Sequence, residues 1–175
     1  MAFSLPPDLE AAVAALADRF EERGVEWVVT GGAARALAGF AATPADLDVE
    51  VDEAAAHRAA AAVGLRAIRE TGGAGSSIRG RGVWRGVDID VTGGLTLRGP
   101  GGHLHADFPL MRAFATPATV AGRTVWAAPV EEQIARAVVA GDEGRLDRIA
   151  DERPRGFAVD GFYLSVRLAA ASASR

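Results

Sequence analysis

The 175-residue sequence contains no cysteine. A disulfide framework, a zinc–thiolate centre and a thiol nucleophile are all excluded, and any metal must be held by oxygen or imidazole. Lysine is absent as well, so all 19 basic residues are arginine. Phosphate contacts then have to use guanidinium, and a lysine Schiff base is impossible. No apolar run approaches the roughly 20 residues that a membrane span requires. The start, MAFSLPPDLEAAVAAL, lacks a basic region followed by an apolar stretch and a small-residue cleavage site. These absences predict a cytoplasmic protein with no membrane partner. A net charge of -4 gives no general attraction to a polyanion, although local basic patches stay open. What is present is an ordinary globular mixture, 49% hydrophobic and 24% charged, in a length suited to one compact unit.

Periodicity supplies the elements. Leu9, Val13, Leu16 and Phe20 recur at helical spacing between Pro6-Pro7 and Gly24. Val25 to Thr30 is a β-branched, apolar run that stops at Gly31-Gly32 and gives way to alanine-rich helical sequence. From Ala45 to Asp52 the chain alternates strictly, with Leu47, Val49 and Val51 on one face and Asp46, Asp48, Glu50 and Asp52 on the other. Glu50 and Asp52 are expected to face solvent. A short helix over Glu53–Val63 ends at Gly64, and residues 65–70 can begin another strand.

Thr71 to Gly86 is glycine-rich with Arg79, Arg81 and Arg85, a loop or a loosely paired hairpin. Val87 to Val91 alternates again, with Asp88 and Asp90 on one face. Gly93-Gly94 is expected to end that strand and to open an irregular connection to residue 102. A short strand near Val125, a helix after Pro129, a second helix capped by Asp142, and a last helix carrying Phe157, Phe162, Leu164 and Leu168 before a frayed ASASR tail complete the reading. His103 and His105 can share a strand face, but no third ligand lies at an obvious spacing. Trp84 is the one tryptophan placed to stack on a base.

The chemistry concentrates in three places: Gly31-Gly32 at a strand end, Asp46-Leu47-Asp48, and Asp88-Ile89-Asp90. Two aspartates at i and i+2 of a strand point the same way, with α-carbons about 6.5–7 Å apart. Such carboxylates can share a pair of hard cations that bridge the attacking and leaving oxygens of a phosphoryl displacement. A glycine turn at a helix start lets phosphate oxygens approach backbone amides. No GxxxxGK[ST] loop and no Rossmann fingerprint is present.

In that order and placement, TGGAARALAGF, DLDV and VDIDV resemble the signature of the polymerase-beta-type nucleotidyltransferase superfamily over residues 25–92. APVEEQIARAVVAGDEGRLDRIADE is similar to the helical pair that follows the core in stand-alone members, including toxins of the abortive-infection type. The resemblance implies an α/β (α+β) fold: a small, mixed, twisted sheet flanked by helices, with a core over 1–128 and a packed helical region over 129–175. It implies that Gly31 and Gly32 meet the phosphates, with Arg35, Arg79, Arg81 and Arg85 as further candidates for the nucleotide. Asp46 and Asp48 would hold two Mg2+ ions, with Mn2+ as an alternative, and Asp90 would ligate the catalytic ion and help to activate the acceptor hydroxyl. Asp88 remains open as the third ligand.

The implied reaction moves a nucleoside monophosphate from a nucleoside triphosphate to an acceptor hydroxyl or phosphate, releasing pyrophosphate. The acceptor is a small molecule, a tRNA end or a protein. Two departures favour an alternative, a catalytically inactive nucleotide- and metal-binding module. The segment before the acidic pair reads FAATPADLD, without the arginine common in relatives, and the helix after the core carries Arg136-Ala137 where relatives have lysine.

Overall fold

Proline suits the first turn of a helix, where its missing amide hydrogen has no intrahelical partner to lose. In the computed structural model, which describes residues 5–173, helix α1 spans Pro7–Glu22 and buries Leu9, Val13, Leu16 and Phe20 along one face. Gly24, at φ +58°, turns the chain toward strand β1, Trp27–Val29. Trp27 packs edge-on to Phe20 with ring centroids 5.5 Å apart. Helix α2, Gly31–Leu37, follows at once, and β2, Asp46–Val51, returns antiparallel to β1. Asp52 then accepts a hydrogen bond from the Ala54 amide at 2.9 Å and caps a single 3-10 turn that leads into α3, Ala56–Ala62.

Three strands follow as an antiparallel meander: β3, Ile68–Gly72; β4, Gly75–Trp84; and β5, Val87–Gly99. Strand β6, Gly102–His105, folds back on the far end of β5. After α4, Phe108–Ala113, the hairpin of β7, Thr116–Val120, and β8, Arg123–Ala127, sets β8 parallel to β1. Three helices close the chain: α5, Val130–Ala140; α6, Glu143–Glu152; and α7, Gly161–Ala173.

The eight strands form one mixed sheet in the order β3-β4-β5-β2-β1-β8-β7, with β6 on β5. The α/β class with helices flanking a mixed sheet and a helical C-terminal segment is therefore the observed one. Leu47, Val49, Val51, Ile89 and Val91 point to one side and join the main core with α1 and α3. The opposite side of β2 carries Asp46, Asp48 and Glu50, and α5 lies over Glu50 through Arg136.

Several sequence expectations need correction. Gly93-Gly94 does not end a strand: β5 runs on to Gly99 and pairs with β6 over what was expected to be irregular. The glycines there serve close approach, since a Cβ on Gly93 would lie 2.8 Å from the Ala56 Cβ and one on Gly101 2.7 Å from the Val139 α-carbon. Residues 71–86 form the hairpin of the two alternatives, and β4 is a full ten-residue strand. Glu50 does not face solvent; it is 2% exposed. Phe157 precedes α7 and packs on Phe40 with centroids 4.8 Å apart. Residues 171–173 of the expected frayed tail are helical, and 174–175 lie outside the described residues.

Candidate active site

The parallel pairing of β2 with β5 sets Asp46 opposite Asp88 and Asp48 opposite Asp90. Facing residues of neighbouring strands project to the same side, so two strands present four carboxylates as one array. Asp46 and Asp88 are exposed at its rim, and Asp48 and Asp90 are half-buried. The turn between β1 and α2 closes over Asp48. The Thr30 amide donates to the Asp48 carbonyl at 2.9 Å. Gly31 sits at φ +62°, and a Cβ there would fall onto Asp48 Oδ2. Backbone conformation and space both demand glycine at this position.

The glycine turn is braced from behind. Gln133 Nε2 of α5 donates to the Gly31 carbonyl at 3.1 Å, and its Oε1 accepts from an Arg35 guanidinium nitrogen at 2.6 Å. Arg35 Nε also reaches Glu152 of α6 at 2.6 Å. Arg35, expected among the residues that meet the nucleotide, is thus a buried strut tying α2 to α5 and α6, at the edge of the same site. A cleft of about 670 Å³ opens in front, lined by Gly31, Gly32, Asp46, Asp48 and Arg79 on one wall and by Arg145 and Arg148 of α6 among others. That volume falls within the roughly 300–1,000 Å³ of small-molecule sites.

The sequence matches no protein-family model and no curated protein. Solved structures do match. The candidate nucleotidyltransferase TM1012 of Thermotoga maritima superposes with a TM-score of 0.66 at 19% identity, over 86% of this chain and 97% of that one. ANT(2")-Ia, solved in complex with adenylyl-2"-tobramycin, gives a TM-score of 0.54 at 15% identity over 94% of this chain and 97% of its own. The chain has a nucleotidyltransferase fold.

Within this nucleotidyltransferase fold, the acids differ sharply in their surroundings. Burial, followed by repulsion from Asp46 and Asp90, pushes the Asp48 carboxyl up to about 6, against a weaker pull from Arg79 and Arg145. Asp90 instead is saturated. Its Oδ1 accepts from Arg79 Nε at 3.0 Å and the Thr92 hydroxyl at 3.1 Å, while Oδ2 accepts from a second Arg79 nitrogen and from Arg81 Nε at 3.1 Å. Arg81 also reaches Glu70 at 3.4 Å. Arg85 lies in the β4–β5 turn at φ 53°, with its guanidinium 5.3 Å from the Trp84 ring centre. Neither Arg85 nor Trp84 lines the cleft, and Asp88 does not line it either.

The donor set bears on the divalent cation that the fold family implies. Asp46 and Asp48 are hard oxygen donors on one strand face, and burial first, then the Asp46 and Asp90 charges, oppose ionisation of Asp48, a cost that a hard cation would relieve. Among the described residues no three His, Asp or Glu side chains are gathered closely enough to hold a metal by themselves. The pair therefore fits a cation that takes its remaining ligands from phosphate oxygens and water. His103 and His105 stand elsewhere, with ring centroids 4.5 Å apart at a separate cavity of about 400 Å³.

Beneath the cleft lies an ionic network that sequence reasoning missed. Arg136 of α5 grips Glu50 with two hydrogen bonds, 2.8 and 2.9 Å, and its Nε donates to Glu132 at 2.9 Å. Glu132 also accepts from Arg167 Nε of α7 at 2.7 Å and from the Tyr163 hydroxyl at 2.9 Å. Burial alone would push the Glu132 carboxyl up, but the two arginines and these hydrogen bonds outweigh it and hold it below its ordinary value. Arg145 and Arg148 were equally missed, although their i, i+3 spacing in EGRLDR puts both on one helix face.

Proposed function

We propose that this chain is a metal-dependent nucleotidyltransferase, moving a nucleoside monophosphate from a nucleoside triphosphate to an acceptor hydroxyl or phosphate and releasing pyrophosphate. The observation that carries this reading is the half-buried Asp48, paired with Asp46 on one strand face and covered by a glycine turn, in a cleft that also holds Arg79, Arg145 and Arg148. Mg2+ held by Asp46 and Asp48 would supply charge neutralisation at the phosphates. The rest of the work is positioning. Arginines of β4 and α6 draw the triphosphate in from both sides, Gly31 lets it approach the backbone, and the Gln133 and Arg35 braces keep that turn in place. The acceptor oxygen attacks the α-phosphorus as the bond to the bridging oxygen breaks, and pyrophosphate carries away the electron pair. The acceptor proton passes to a cleft carboxylate or to water.

Phosphate recognition in this reading rests on guanidinium and backbone rather than on a helix dipole, because α2 has only seven residues. The acceptor is open among small molecules, a tRNA end and a protein. The adenylylated tobramycin in ANT(2")-Ia makes an aminoglycoside the first small molecule to try. A second reading, an inactive nucleotide-binding module, is favoured by the engagement of Asp90 with Arg79 and Arg81.

Isothermal calorimetry of each nucleoside triphosphate with Mg2+, on the wild type and on the Asp46→Asn, Asp48→Asn double variant, tests the site. Binding that needs both Mg2+ and the two aspartates is expected, and no binding by the wild type would sink the reading. Pyrophosphate release with an added acceptor separates the enzyme from the inactive module.

A further inference from the structure

The third carboxylate of the array is already committed, and its commitment is built into the strand register. Arg79 of β4 stands opposite Thr92 and Arg81 opposite Asp90. The two arginines are at i and i+2, so they share one face, the face of Asp90, and their side chains flank it. Asp90 receives four hydrogen bonds from three residues, and both of its oxygens are used. The pair is shielded, with side-chain exposures of 31% for Arg79 and 16% for Asp90. A cation seeking Asp90 would have to displace a two-point guanidinium–carboxylate pair from a partly dry site, which costs far more than binding at an open carboxylate. Arg79 at the same time lines the cleft, and its charge reaches Asp48.

We propose that Asp90 is a positioning residue for Arg79 rather than a metal ligand, and that the Arg79 guanidinium is the resident cation on the β5 side of the cleft, so that Asp46 and Asp48 bind a single divalent ion. This rests on the nucleotidyl-transfer reading for its triphosphate, but the metal count can be read without any nucleotide.

The test is a Mn2+ titration of the wild type followed by electron paramagnetic resonance of the free ion, without nucleotide and then with the α,β-methylene analogues of the four triphosphates. One Mn2+ per chain is expected in both states, and two per chain in either overturns the proposal, as does none. Asp90→Asn is expected to keep its Mn2+ with affinity changed less than about threefold and to bind the analogue about tenfold more weakly. Loss of Mn2+ from this variant restores Asp90 as a ligand. Arg79→Gln should weaken the analogue by a similar factor without lowering Mn2+ affinity. The wild-type count stands even where a variant fails to fold. A wild type that binds one Mn2+ and no triphosphate upholds the one-ion site and defeats the proposed function instead.

Discussion

At the residue scale, the cost of gathering acids falls on Asp48. Its carboxyl titrates near 6 in the folded chain, against the ordinary value of 3.8, because burial and the Asp46 and Asp90 charges oppose ionisation. A folded-state value raised above the unfolded one means that the group's contribution is fully present below pH ~4 and is lost as pH rises through 6. The wild type therefore gives up stability between pH 4 and 7, and Asp48→Asn, which cannot ionise, does not. Without metal the variant is expected to be more stable than the wild type at pH 7.5 by on the order of 1–2 kcal/mol, after discounting for solvent, which is about 3–6 °C in Tm. The gap should narrow at pH 5 and shrink again when Mg2+ is added to the wild type. Thermal melts across that range check it, and a variant less stable than the wild type at pH 7.5 would contradict the account.

At the element scale, β2 is held from both sides by different physics: its apolar face by the main core and its acidic face by Arg136. Glu50 is the only member of that acidic face driven into the interior, and it is tolerable there because Arg136 meets it with two hydrogen bonds. Removing one partner of a buried pair leaves a charge without compensation, so Arg136→Met is expected to cost about 3–5 kcal/mol. Adding Glu50→Met should recover part of that loss, which a denaturant double-mutant cycle measures. Sequence periodicity exposed α1, β1, β2 and the start of β5 because each has a local pattern set by its own core face. It failed at Glu50, whose partner lies 86 residues away, and at Gly93-Gly94, where glycine marks the approach of α3 and its entry turn rather than a break. The aspartates and Gly31 were legible because strand alternation and a turn are local. The commitment of Asp90 to Arg79 was not, since it depends on the register between β4 and β5.

At the scale of the whole molecule, the cleft has one firm wall and one loose one. Its aspartates, Asp46 and Asp48, sit on β2, a central strand of the sheet, with the main core packed behind it. The opposite wall includes α6, in which Ile149 alone is buried and the Arg145 side chain is 52% exposed. Helix α6 is anchored chiefly at its C-terminal end, where Arg35 pairs with Glu152 and the Ala41 amide donates to the Glu152 carbonyl at 2.8 Å. An element with so little burial opens at low free-energy cost. Arg145 and Arg148 give a polyanion a direct reason to hold it closed, because ligand bound only to the closed form stabilises that form by mass action. At a triphosphate concentration ten times Kd, amide exchange over 143–152 is expected to slow about tenfold, while the β7–β8 hairpin on the far side of the sheet keeps its rate. Hydrogen-exchange mass spectrometry with and without the α,β-methylene analogue and Mg2+ reads both segments in one experiment. Binding without added protection in α6 would mean that the triphosphate is held by the β-sheet wall alone and that Arg145 and Arg148 serve the acceptor instead.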